Sequence, residues 1–234
     1  MPAMRAAPGV KETGALLAAA SAETRAGLLA QAEPVALPRG ATIFAQDTPA
    51  ESLHVLLQGS VGLSTSEEGG VPTMVDILAP GDAFPLPAVM LGLPNPVTAV
   101  ALAPSRLIAL PAAAMRDAAA TDAGLMRAAM EQMARHWRGM LDQVVDLKTR
   151  DATQRAARFL VRRLAAQRGA VELPEPRAAI AARLGMTPES LSRALHGLEA
   201  AGLLRLHGRR VDVPDRAALL RATLPRQEAR ARPA

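Results

Sequence analysis

The chain has 234 residues, half of them apolar, with a net charge of +5 and no cysteine. That length holds two small domains, each with its own core. The missing cysteines exclude disulfides, thiolate zinc sites and cysteine-ligated iron–sulfur clusters. No run of eighteen apolar residues exists, so no membrane span is expected, and the N-terminus lacks the apolar stretch of a signal peptide. A cytoplasmic protein is the expectation. The charge is uneven: residues 148–234 hold 18 Lys and Arg against 8 Asp and Glu, whereas residues 1–147 hold 9 against 14. A basic C-terminal part beside an acidic N-terminal part predicts that only the former meets a polyanion.

Residues 11–32 read as helical, with Leu16, Leu17, Leu28 and Leu29 as packing contacts and Ser21 as the cap of a second helix. From Val35 the period changes. Short apolar runs (VAL, ATIFA, LHVLL, VGLS, TMVDIL, then PVTAVALA and RLIAL) alternate with turn residues at Pro38-Arg39-Gly40, Gln46-Asp47-Thr48-Pro49, Gly59, Glu67-Glu68-Gly69-Gly70 and Pro80-Gly81-Asp82. Strands this short and evenly spaced predict an antiparallel sandwich or jelly roll. Pro111 then opens an alanine-rich helix.

Asp122 begins a long helix. Met126, Met130, Met133, Trp137, Met140, Val144 and Leu147 follow one another at alternating spacings of four and three, an a/d seam over three heptads. The spacing predicts a parallel homodimer, and the methionines make the seam adaptable. Lys148 to Asp151 read as a hinge. The next helix, Thr153 to Arg168, places Ala156, Ala157, Leu160, Val161 and Leu164 on one face and Arg155, Arg158, Arg162 and Arg163 on the other, with Gly169 as its end. Val171 to Pro174 read as an edge strand.

The segment from Arg177 to Leu198 predicts two helices joined by a tight turn. Ile180 and Leu184 form the apolar stripe of the first, and Gly185 stands where an αL terminator is needed. Thr187 is an N-cap and Pro188 a first helical residue. Leu191, Leu195 and Leu198 turn the second helix inward, leaving Glu189, Ser192, Arg193 and His196 outward. Arg pairs bidentately with guanine, Glu accepts from cytosine, and Ser serves either way, so this face suits a major groove. Thr187 and Pro188 complete the candidate DNA-binding set. LLRLHGRRVDV after Gly202 predicts a hairpin with a basic tip, a wing. Pro214-Asp215 cap a last short helix, and the residues from 223 read as a disordered tail.

On these residues, IAARLGMTPESLSRAL above all, the chain resembles the Crp/Fnr family of bacterial transcription regulators. Glu189-Ser190-Leu191-Ser192-Arg193 matches the E-x-x-S-R pattern of the Fnr-like branch. The resemblance implies an α+β fold. A cupin-like jelly-roll sensor over residues 1–120 precedes a dimerisation helix over 121–149. A winged helix-turn-helix over 150–222 follows, with the tail over 223–234. It further implies a dimer on double-stranded palindromic DNA with TTGAT-like half-sites, and RNA polymerase as a second partner. The spacing of Gly40, Gly59 and Pro80-Gly81-Asp82-Ala83-Phe84 fits that sensor.

The resemblance also frames the signal. The family's cyclic-nucleotide cassette supplies a Glu and an Arg after the position of Phe84; here LPAVMLG and LPNPVTA follow Pro85, with neither residue. Branch members without cluster cysteines include haem-containing nitric-oxide sensors, which makes His54 a candidate axial ligand. Met1-Pro2 resembles the start of carbon-monoxide-sensing relatives that ligate haem through an N-terminal proline. The apolar residues Leu86 to Leu93 are an alternative lining for a small neutral ligand. A constitutive regulator with a decayed sensor and a cyclic-nucleotide-dependent regulator are the remaining alternatives. No spacing of a hydrolase, P-loop or zinc motif is present, so a catalyst is not expected.

No Lys or Arg stands between Arg39 and Arg106, so the sensor has no cation of its own for a buried phosphate. Calorimetry with cyclic AMP or cyclic GMP is expected to give no binding tighter than about 10 μM, roughly −7 kcal/mol. A tighter constant overturns this.

Overall fold

The computed structural model describes residues 14–67, 70, 72–166 and 170–224. Met1-Pro2, Gly69, Gly169 and the tail from Pro225, all used above, lie outside them. The chain divides into two compact units, residues 1–137 and 138–234.

The first unit opens with α1 (Gly14–Ala18) and α2 (Ala22–Ala30). The Ser21 side chain caps α2 by accepting from the Thr24 N–H at 3.2 Å. Eight strands follow: β1 (Glu33–Leu37), β2 (Thr42–Phe44), β3 (Ser52–Gln58), β4 (Val61–Thr65), β5 (Thr73–Leu78), β6 (Ala83–Phe84), then, after helix α3 (Leu86–Leu91), β7 (Thr98–Ala101) and β8 (Ser105–Pro111). They form two four-stranded antiparallel sheets ordered β1-β8-β3-β6 and β2-β7-β4-β5. This is the expected jelly roll. Leu56, Val61, Leu78, Phe84, Ala99 and Leu107 fill the space between the sheets. A second core lies under the helices, where Leu16, Leu17 and Leu28 meet Leu53, Val55, Leu110 and Met115. Met115 belongs to α4 (Ala112–Thr121), which starts after Pro111.

Gly59, between β3 and β4, has φ +97°, and a Cβ there would lie 2.5 Å from the Pro104 carbonyl. Turn geometry and close approach both demand glycine at that point. Two elements differ from the expectation. Ala83-Phe84, outside the apolar runs read as strands, is an edge strand paired with His54 and Val55. The segment from Leu86, read as a ligand lining, is a helix whose Leu86, Ala88 and Val89 are core. Pro87, Leu91, Gly92 and Leu93 are exposed there.

α5 (Ala123–Thr149) is 27 residues long. Asp122 caps it, accepting from the Leu125 N–H at 2.9 Å, and also accepts from the Ser21 N–H at 2.8 Å. These bonds hold its carboxyl well below the usual range. Leu125, Ala128, Ala129 and Gln132 are buried, and Gln132 donates to the Ala83 carbonyl at 2.6 Å. The first half of α5 is therefore part of the first unit.

The second unit takes the last turns of α5, then α6 (Ala152–Ala166), β9 (Ala170–Glu172), α7 (Arg177–Arg183), α8 (Pro188–Ala200), β10 (Arg205–His207), β11 (Arg210–Asp212) and α9 (Arg216–Arg221). Its sheet runs β10-β11-β9. Ala156, Ala157, Phe159, Leu160 and Leu164 of α6 are buried, as are Ile180, Leu184, Leu191, Leu195, Leu198 and Leu219. Asp215 caps α9. The packed chain runs past the expected start of the tail: Thr223 is buried, and the Thr223 and Leu224 carbonyls accept from Arg150 Nε and Gln154 Nε2.

Inside the jelly roll, His54 stacks on Phe84 at 5.6 Å and meets Phe44 at 5.8 Å. Its Nδ1 is buried without a partner. Burial lowers its pKa from 6.5 to about 4, against a smaller opposing effect of a hydrogen bond with the Phe84 backbone. The native state thus keeps His54 neutral where the unfolded chain takes up a proton. Above pH 6.5 the group contributes nothing; stability is lost as pH falls from 6.5 to about 4. In urea titrations of wild type and His54→Gln, the stability difference should shift by about 2 kcal/mol in the variant's favour between about pH 7 and pH 4.5. A difference independent of pH refutes the assignment.

Candidate nucleic-acid interface

α7 and α8 form the helix-turn-helix. The turn is set by Gly185, with φ +62°. A Cβ on Gly185 would lie 2.5 Å from Leu147 Cδ2, so the last turn of α5 closes on this turn directly. α8 starts as expected: Thr187 accepts from the Ser190 N–H at 3.2 Å and Pro188 is the first helical residue.

Thr187, Pro188, Glu189, Ser192, Arg193 and His196 are all exposed. Glu189, Ser192, Arg193 and His196 recur at the helical period on one face of α8, opposite the buried Leu191, Ala194, Leu195 and Leu198. Arg193 Nη2 donates to Ser190 Oγ at 3.0 Å, which steadies the guanidinium near the start of the helix. The Glu189 carboxyl lies below its usual range, held there by its own backbone N–H, then by Thr187 and Arg193. It is an acceptor only, as cytosine N4 requires. His196 Nδ1 lies 2.9 Å from the Ser192 carbonyl. A carbonyl only accepts, so Nδ1 is the donor in this contact, and Nε2 is left to face outward partners.

The wing is a hairpin with His207 paired to Arg210 across a two-residue turn that begins at Gly208, φ +61°. Its charges are not all available. Arg210 Nε lies 2.7 Å from Asp212 Oδ1, and that bond raises the arginine pKa further. Arg177 Nη2 donates to the Gly208 carbonyl at 2.8 Å and braces the tip. Arg205 and Arg209 are exposed.

The arginines of α6, placed opposite its apolar face as expected, are engaged within the unit. Arg158 and Arg162 pair with Asp142 and Asp146. Arg163 pairs with the buried Glu175 at 2.6 Å and lies 5.2 Å over the Phe159 ring. Part of the positive charge of residues 148–234 is therefore compensated internally, while among the described residues Lys148, Arg193, Arg205, Arg209 and Arg216 are exposed.

The seven seam residues of α5 divide. Met126 and Met133 pack against the jelly-roll core. Met130, Trp137, Met140, Val144 and Leu147 are exposed, by 59, 60, 42, 48 and 43%, and Leu141 and Val145 are exposed with them. The heptad reading missed these two. Their signal was the spacing of four from Trp137 to Leu141 to Val145, which widens the stripe. An apolar stripe of this size on one helix marks an interaction surface. His54 does not suit haem ligation. Its ring lies against two phenyl rings, and an iron would have to displace that packing.

A jelly roll followed by a helix-turn-helix with an exposed reading face and a wing defines a DNA-binding regulator with a sensor module. Two family models match: the cyclic nucleotide-binding domain over residues 34–122 and the Crp-like helix-turn-helix domain over residues 154–222, together well over half of the chain. The chain belongs to the Crp/Fnr family of transcription regulators. It is 26% identical over 202 residues to the CRP-like cAMP-activated global transcriptional regulator of Mycobacterium tuberculosis, covering 84% of this chain and 90% of that protein. It is 26% identical over 189 residues to the fumarate and nitrate reduction regulatory protein of Escherichia coli, covering 78% of this chain and 75% of that protein. Among solved structures, FixK2 from Bradyrhizobium japonicum superposes with a TM-score of 0.74 at 26% identity, covering 82% of this chain and 98% of that one. Among the described residues no helix is long and apolar enough to cross a membrane.

Gly185→Ala should lower the unfolding free energy by about 1–2 kcal/mol, through the left-handed backbone and the contact with Leu147. Urea titration checks this; an unchanged midpoint shows that the turn tolerates a side chain.

Proposed function

We propose that this protein is a cytoplasmic, homodimeric regulator of the Fnr-like branch that reads a palindromic site with two copies of α8 and acts on RNA polymerase. The observation that carries this reading is the exposed Glu189–Ser192–Arg193–His196 face on a capped helix backed by buried leucines. Arg193 reads a guanine. Glu189 reads the opposing cytosine or a neighbour. Ser192 and Thr187 add base or phosphate contacts. The exposed stripe from Met130 to Leu147 supports pairing of two copies, which would set two α8 helices in successive major grooves about 34 Å apart.

The signal in this reading is not a cyclic nucleotide. The stretch between Arg39 and Arg106 has no cation, both of those arginines are exposed, and Arg116 on α4 is engaged with the Val89 carbonyl at 3.1 Å. The neutral, aromatic interior around Phe44, His54 and Phe84 instead favours a non-anionic effector.

Site selection from a random duplex pool, then affinity measurement on single-base variants, tests the reading. Arg193→Ala should weaken binding by about 1–3 kcal/mol and relax preference at one base pair. Equal weakening on every sequence would reassign Arg193 to a phosphate contact.

A further inference from the structure

The last two turns of α5 are tied to the DNA-reading elements at more points than a connector needs. Asp146 is 8% exposed and accepts from Arg150 Nη1 at 2.6 Å. Its other oxygen lies 3.0 Å from Arg158 Nε and 3.5 Å from Arg162 Nη2. One turn earlier, Asp142 lies 3.0 Å from Arg162 Nη2 and 3.6 Å from Arg158 Nη2. Two carboxylates one turn apart on α5 therefore grip the same two arginines one turn apart on α6.

Two further attachments reach other elements. Gln143 Nε2 donates to the Arg183 carbonyl at the end of α7, at 3.1 Å, and Leu147 packs beside Gly185 in the turn before α8. The link itself is short and satisfied. Asp151 and Gln154 cap α6 reciprocally at 2.9 and 3.0 Å, and Arg155 donates to the Arg150 carbonyl at 2.9 Å.

One attachment leaves an axis of rotation; three, placed on α6, on the end of α7 and on the helix-turn-helix turn, leave none. Each of the two guanidiniums is shared between two carboxylates, and the Asp146 pairs, with that carboxylate poorly exposed, are less screened by salt than those of the half-exposed Asp142. A sequence reading of Lys148 to Asp151 as a hinge is thus replaced by a braced elbow.

We propose that the Asp142–Asp146 face of α5 is the rigid mount of the reading head, fixing the angle of α8 to α5 and so the half-site spacing the dimer accepts. This rests on the paired reading of a palindrome given above. Asp142 and Asp146 are positioning residues in this scheme; they touch no base. Spacing specificity resides in them, and base specificity in α8.

The test uses the full-length protein and the palindrome it selects from a random pool. Fluorescence anisotropy compares an isolated half-site with palindromes whose spacer is one base pair longer or shorter. Wild type should lose about tenfold or more in affinity when the spacer changes. Asp142→Asn combined with Asp146→Asn should bind the half-site within about twofold of wild type, while the spacer penalty falls below about threefold. Asp146→Glu, which keeps the charge, should retain most of the penalty. Asp142→Asn alone, at a half-exposed position, should show a partial relaxation if the double variant does not fold. An undiminished penalty overturns the mount, as does a loss of half-site and palindrome affinity by one common factor. If wild type selects only single half-sites, the paired reading itself fails, and the mount with it.

Discussion

α5 carries apolar side chains over more of its surface than any one neighbour covers, and each unit draws on its own part of the helix. Its first turns bury Leu125, Ala128 and Ala129 in the jelly-roll core, with Gln132 bonded to the Ala83 carbonyl. Its last turns serve the C-terminal unit through Asp142, Gln143, Asp146 and Leu147. What neither unit covers is the stripe that includes Trp137, Met140, Leu141 and Val144. Leaving so much apolar surface in water is costly at roughly 25 cal/mol per Å², and a second copy, the occupant proposed above, would remove the cost symmetrically.

Arginine is used in two physically different ways in the C-terminal unit. Arg158, Arg162 and Arg163 on α6 are structural: each carries its charge to a carboxylate, and their long stems cover apolar surface. Arg193 and Arg205 are exposed, and the Arg193 guanidinium is steadied by the Ser190 hydroxyl rather than buried against a carboxylate. The separation matters for DNA recognition. Internally paired arginines add rigidity without adding salt-dependent attraction, whereas exposed ones release counterions when they meet phosphate.

The sensor shows the complementary economy. Its interior holds Phe44, His54 and Phe84 in mutual ring contact, and desolvation keeps the histidine neutral. Phe84 belongs to β6, an edge strand of two residues, and the neighbouring Ala83 carbonyl is the acceptor for Gln132 of α5. A displacement in the aromatic cluster would therefore act on a weakly paired strand that is itself bonded to α5.

The amino-acid sequence by itself determined the order of the elements, the jelly-roll strands, the caps at Ser21, Thr187 and Asp215, the left-handed turn at Gly185, and the outward face of α8. Each of these is local: a cap, a turn glycine or a period of two or 3.6 residues is written within a short window. Tertiary structure decided what depends on residues far apart in the chain. β6 became a strand only because β3 offered it an edge, and Leu86 to Val89 turned inward because a core was there to receive them. The arginines of α6 had the spacing of a solvated face, and only the approach of Asp142, Asp146 and Glu175 made them half-buried partners. The seam of α5 was read at heptad spacing, yet the jelly roll claimed Met126 and Met133 from it. Periodicity shows that a face is apolar; it does not say which neighbour will cover it, because that choice belongs to the packing of the whole domain.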